Sequence, residues 1–151
     1  MQPVRYRISL RIKHPSIDPG FVAAQLRLTP TSAWTAGMQR VSPSGKPLGI
    51  ADHSYCVFDL EPSKGLSLAD ALALHANQLL EHKRFLEELK NTGGTVEFFV
   101  GWFIERYAGD VFQADLLERM GAIGIDLTLE VYGSDEKTFD PQVVDIHRTP
   151  S

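Results

Sequence analysis

VRYRISLRIK, residues 4–13, alternates without a break: Val4, Tyr6, Ile8, Leu10 and Ile12 fall on one side of an extended chain, and Arg5, Arg7, Ser9, Arg11 and Lys13 on the other. Successive side chains of a strand point to opposite faces, so this stretch predicts a half-buried strand with an apolar inner face and a basic outer one. A sheet with one covered and one open face follows, as in antiparallel or mixed sheets backed by helices.

Working outward, Asp18-Pro19 reads as a helix start, with a carboxylate to cap free N–H groups and a proline where its missing donor costs nothing. Phe21, Val22, Gln25, Leu26 and Leu28 continue it as a short amphipathic helix, halted at Thr29-Pro30 because the residue before proline avoids helical geometry. A short strand is expected around Trp34. The stretch VSPSGKPLG, residues 41–49, reads as turn, punctuated by Pro43, Gly45, Pro47 and Gly49. HSYCVFDLE, residues 53–61, reads as a strand. Ser67 caps a helical segment reaching Lys90, with Asp70 three residues on. That segment is either one long helix or two meeting near Glu81-His82, and Gly93-Gly94 ends it.

GTVEFFVGWFIER, residues 94–106, supplies a further strand. It has Val96, Phe98, Val100, Trp102 and Ile104 on one face and Glu97, Phe99, Gly101, Phe103 and Glu105 on the other. A helix over Ala114–Met120 and a strand over Ile125–Tyr132 complete the series. In that last strand Ile125, Leu127, Leu129 and Val131 are expected to face inward and an acidic set outward. The order β-α-β-β-α-β-α-β predicts an α+β fold of ferredoxin-like or split-βαβ type, a mixed or antiparallel sheet with helices on one face. Strand, helix and strand recur at similar offsets in the first and last parts of the chain, a pattern compatible with duplication. Residues 1–133 are read as a single domain and 134–151 as a polar tail, in which Val143 and Val144 could add an edge strand but disorder is the favoured expectation.

The 151 residues carry a net charge of −4, unevenly spread. Up to Ile50 seven basic residues stand against Asp18 alone, giving +6 and leaving −10 for the remainder. Such asymmetry can mark a nucleic-acid surface, with Arg5, Arg7 and Arg11 on phosphates and Phe99 and Phe103 stacking bases. Net acidity ranks that reading last; the favoured one sets the basic strand beside acidic neighbours. Cys56 is the only cysteine, so no intramolecular disulfide can form. No apolar run approaches a membrane span and no secretory signal precedes the first strand, so the cytoplasm is the expected compartment.

Chemistry is sought and not found. Of the five histidines, none forms a metal-ligand spacing, and His75 and His82 are two helical turns apart. Gly45-Lys46 lacks phosphate-loop spacing. Cys56 has no basic neighbour to activate it and reads as a small buried hydrophobe. No catalytic residue, metal ligand or cofactor is nominated. Two constellations remain. His14, Asp18, Trp34 and Trp102 could rim a small-ligand pocket at a sheet end, or simply build a structural corner. On the open face, Phe99 and Phe103 with Arg7 and Arg11 form a candidate interface, with Gly101 leaving a gap where another backbone or a ligand could approach.

The first strand with HPSIDP (14–19), LRLTPTSAWTAG (26–37), the SGKPL turn (44–48), SYCVFDL (54–60), GGTVEFFVGWF (93–103) and LLERMGAIGIDLTLEVYG (116–133) together resemble the bacterial domain of unknown function numbered 4279. The resemblance implies a small, often stand-alone bacterial protein, and places Trp34 to Gly37 and Gly101-Trp102 within a family pattern. It carries over no catalytic role. The functional expectation is a non-catalytic module that binds a protein partner or its own copy, in one form a toxin neutraliser. Its rival is a small-ligand or enzymatic domain using His14, Trp34 and Trp102.

Overall fold

β1 (Arg5–His14) forms the middle of a five-stranded sheet in a computed structural model that describes residues 5–61 and 65–133. The polar tail, with Val143 and Val144, lies outside the described residues. After β1 come α1 (Pro19–Leu26), β2 (Ser32–Trp34), a hairpin of β3 (Gln39–Val41) and β4 (Pro47–Ile50), and β5 (Ser54–Asp59). Then follow α2 (Leu68–Leu79), a 3-10 turn (Leu80–His82), α3 (Lys83–Asn91), β6 (Thr95–Ile104), α4 (Ala114–Ala122) and β7 (Asp126–Gly133).

The sheet order is β2-β5-β1-β6-β7, with β3 and β4 paired apart from it. β1 is antiparallel to both β5 and β6, and β2 is antiparallel to β5, while β6 and β7 run parallel. β1 and β2 are therefore parallel with β5 between them, a split crossover carried by α1. The α+β class with a mixed sheet is what the periodicities predict. The fifth strand, parallel to β6, and the inserted hairpin set the arrangement apart from a plain four-stranded ferredoxin-like order.

Parity in β1 and β6 decides which face is covered. Ile8, Leu10 and Ile12 of β1 join Val96, Phe98, Val100 and Trp102 of β6 and Cys56 and Phe58 of β5 in one buried cluster. Val22, Leu72, Leu86 and Leu116, one from each helix, seal it. Fully burying a Leu- or Phe-sized side chain is worth roughly 1.5–3 kcal/mol, so this layer holds the fold together. The odd-numbered residues of β1 and β6 point the other way.

Local chemistry sets the ends of the helices. Asp18 accepts from the Gly20 N–H at 3.2 Å, and Ser67 from the Asp70 N–H at 3.1 Å. α1 stops earlier than the proline signal implies, because Arg27 adopts a left-handed conformation (φ 56°) and its N–H turns back to the Ala23 carbonyl. The long helical segment is two helices, broken at Leu80–His82. The stretch read only as turn, residues 41–49, falls within the β3–β4 hairpin, whose strands are too short to declare themselves by alternation. The two strand–helix–strand segments differ: β1 and β2 enclose another strand, whereas β6 and β7 are adjacent. Among the described residues β7 is an edge strand, and Leu129 and Val131, expected to face inward into the core, are exposed.

Candidate functional site

Register brings the open-face residues together. Arg5 lies opposite Phe103, Arg7 opposite Gly101, Ser9 opposite Phe99 and Arg11 opposite Glu97. On the far side of β6, Phe99 faces Thr128, Gly101 faces Glu130 and Phe103 faces Tyr132. On the near side of β1, Ser9 faces Asp59 of β5. Arg7, Arg11, Phe99 and Phe103 thus line one concavity of about 680 Å³, together with Gly101, Tyr132, Asp59 and Glu61.

Its walls are braced. The Arg11 guanidinium lies 3.7 Å from the centre of the Phe99 ring, and its Nε–H donates to Ser9 Oγ at 3.2 Å. A cation held over an aromatic face in this way contributes about 0.5–1 kcal/mol at an exposed position. Phe103 stacks on Tyr132 with ring centres 5.2 Å apart. The Tyr132 hydroxyl donates to Glu130, and that bond pushes its pKa up. Thr128 donates to Glu97 at 2.6 Å. Between the two aromatic walls Gly101 presents only backbone. A Cβ there would meet the Phe103 ring at 3.7 Å and the Tyr132 ring at 3.8 Å, ordinary contact distances. The missing side chain is what leaves the space open.

Charge is divided across this site. Arg7 and Arg11 sit on β1, while Asp59 and Glu61 lie at and just beyond the end of β5. The expected pairing of basic with acidic strands holds for Arg11, opposite Glu97. The acidic final strand is one strand further away, beyond β6. Aromatic faces, two guanidiniums and two carboxylates around a shallow floor are a set of binding groups. Among the described residues, no group of three or more His, Cys, Asp or Glu side chains is placed to hold a metal ion.

The other constellation is dispersed. His14 closes β1 opposite Ser54, whereas Trp102 lies opposite Tyr6, eight residues back along the same strand and so roughly 26 Å away at ~3.3 Å per residue. Trp34 pairs with Tyr55 and stacks on it at 4.8 Å, which puts it on the open face, opposite to Trp102. The two tryptophans do not sit on neighbouring parts of one surface. His14 Nδ1 accepts from the Ser16 and Ile17 N–H groups at 3.0 and 2.9 Å, so its Nε2 carries the proton and donates to Thr92 Oγ1 at 2.8 Å. Both ring nitrogens are thereby used to tie the β1–α1 turn to the end of α3, and Asp18 is used as a helix cap. Arg40 of the hairpin lies 4.3 Å from the Trp34 ring, covering it. Cys56 is buried, and burial, with Asp18 adding to it, pushes its thiol up to about 11, far from a reactive thiolate.

Tyr132, Asp59 and Glu61 are among the concavity residues that the sequence pattern does not single out. Tyr132 was legible only as outward-facing; its place against Phe103 follows from a parallel register that no local pattern encodes. Asp59 alternates outward in β5, but only the antiparallel register with β1 brings it to Ser9.

The family model of a domain of unknown function, DUF4279, matches residues 4–134. No curated protein and no solved structure matches the chain. Among the described residues, no helix is long and apolar enough to cross a membrane.

Proposed function

The chain belongs to the DUF4279 family, and from that footing and the open-face geometry we propose that it is a binding module whose concavity over Gly101 receives a side chain of a partner protein. One observation carries the reading: the helix-free face keeps a space of about 680 Å³ walled by braced aromatic rings, where the opposite face is filled. Rigid aromatic walls supply contact area at little cost in ordering, the usual character of a protein-binding hot spot. The split in charge defines the occupant. Arg7 and Arg11, on the strand beside Gly101, favour an acidic group next to the anchor, and Asp59 and Glu61, one strand further out on the same side, a basic group beyond it. The partner segment is therefore an aromatic or large aliphatic side chain followed on one side by an acidic and then a basic group.

Panning a displayed peptide library on the folded full-length chain tests this. The expected result is enrichment of peptides with such an anchor. Their binding should weaken at least about tenfold in Gly101→Leu, which fills the floor, and in Arg7→Glu, as for loss of a hot-spot contact. Selected peptides that bind both variants as well as the parent overturn the proposal. So does a concavity that takes only small molecules and enriches no peptide.

A further inference from the structure

The two edges of the sheet are not alike. β2, at one edge, has three residues, a length that gives a second chain little to pair with. β7, at the other, has eight, contains neither proline nor lysine, and among the described residues is bonded along one side only, to β6. Its helix-side residues Leu129 and Val131 are 41% and 52% exposed. A long edge strand bearing apolar side chains is a template for another strand.

We propose that β7 pairs antiparallel with β7 of a second copy, joining two sheets into one continuous sheet with both helical layers on the same side. This rests on the edge alone and is independent of the concavity reading. Charge decides the register. A two-fold axis perpendicular to the sheet sets residues of like parity opposite each other, so that each face stays continuous. Centring it on Thr128 opposes Asp126 to the second copy's Glu130, and centring it on Glu130 opposes that carboxylate to itself; like charges directly opposite are destabilising. Centring on Leu127 or Val131 shortens the overlap. Centring on Leu129 pairs Asp126 through Tyr132 with no like charges opposed. Leu129 then meets Leu129, Leu127 meets Val131, Thr128 meets Glu130 and Asp126 meets Tyr132. The apolar residues left exposed at the edge are the ones this register covers, and the acidic ones are set against uncharged side chains.

Only position 129 is opposite itself, which makes the register testable in the full-length chain by single cysteines under mild oxidation. Leu129→Cys should give a disulfide-linked dimer. Leu127→Cys and Val131→Cys should each stay uncrosslinked alone and crosslink when mixed, since they face each other across the axis. The native Cys56 is 1% exposed and does not compete. In parallel, sedimentation of the parent chain should show a dimer, and Leu129→Lys, at an exposed position the monomer tolerates, should weaken association at least about tenfold by opposing like charges. A chain that stays monomeric at the highest concentration reached overturns the proposal, all the more if the β7 amides are then protected from exchange by its own residues. Efficient crosslinking through Leu127→Cys alone overturns the register and the proposal with it.

Discussion

Phe98 and Phe99 are adjacent in β6 and chemically identical, yet one is wholly buried and the other half-buried beneath a guanidinium. The pair contrasts the two faces of one sheet. On the helix side of β6, Val96, Phe98, Val100 and Trp102 are all buried in the core, and a side chain there contributes by excluding water. On the open side the rings are braced by neighbours in the sheet, Arg11 for Phe99 and Tyr132 for Phe103, and keep a face available. The same backbone thus divides by parity, with core packing on the even positions of β1 and β6 and braced, partly exposed rings on the odd positions of β6.

The sharpest way to break that contrast is to truncate both rings. Phe98→Ala should destabilise the chain by about 3–5 kcal/mol, the range for emptying a buried aromatic site. Phe99→Ala should cost about 1 kcal/mol, the scale of an exposed cation–π contact. Urea unfolding followed by circular dichroism reads both. Equal losses would mean that the odd face is structural core as well.

Two glycines sharpen it at smaller amplitude. A Cβ on Gly94 would lie 2.7 Å from the Leu89 carbonyl oxygen and 3.1 Å from the Lys13 carbonyl oxygen, both backbone atoms that cannot swing aside. Gly94→Ala should therefore cost about 1–3 kcal/mol, as overpacking does. Gly101→Ala meets only ordinary contacts, and should be neutral or stabilise by up to about 1 kcal/mol through the unfolded chain. A Gly101→Ala variant as damaged as Gly94→Ala would show that the open floor is a packing requirement instead of a space left for a partner.

The even-odd division was legible in the sequence because alternation is a local property of a strand: VRYRISLRIK and TVEFFVGWFI declare their faces without reference to anything distant. Helix starts at Asp18 and Ser67 were legible for the same reason, since a cap bonds within its own first turn. Strand order was not. Whether β7 lies beside β1 or beyond β6 depends on a crossover, and so the match of acidic to basic strands was anticipated one strand too near. His14, at a strand end, is readable either as the rim of a small-ligand pocket or as a structural corner. The Ser16 and Ile17 N–H groups and Thr92, which occupy its nitrogens, come partly from a helix end far along the chain. The concavity was half legible: its β1 and β6 walls follow from parity, whereas Tyr132, Asp59 and Glu61 are delivered by pairing.

The smallest expected effect concerns pH and again separates the covered layer from the open face. His75 of α2 is 6% exposed, and burial lowers its pKa, opposed by a weaker contribution from its bond to Gln78. Below the ordinary histidine value of about 6.5 the unfolded chain takes up a proton that the folded chain refuses. The unfolded state then binds more protons, so stability falls as pH drops through about 6.5 and levels off once the folded value is passed. Melting temperature measured between neutral and mildly acidic pH should decline with a slope that flattens in His75→Gln, whatever that variant does to stability at neutral pH. An acid-side slope that persists unchanged in His75→Gln would move the pH-sensitive group out of the helical layer.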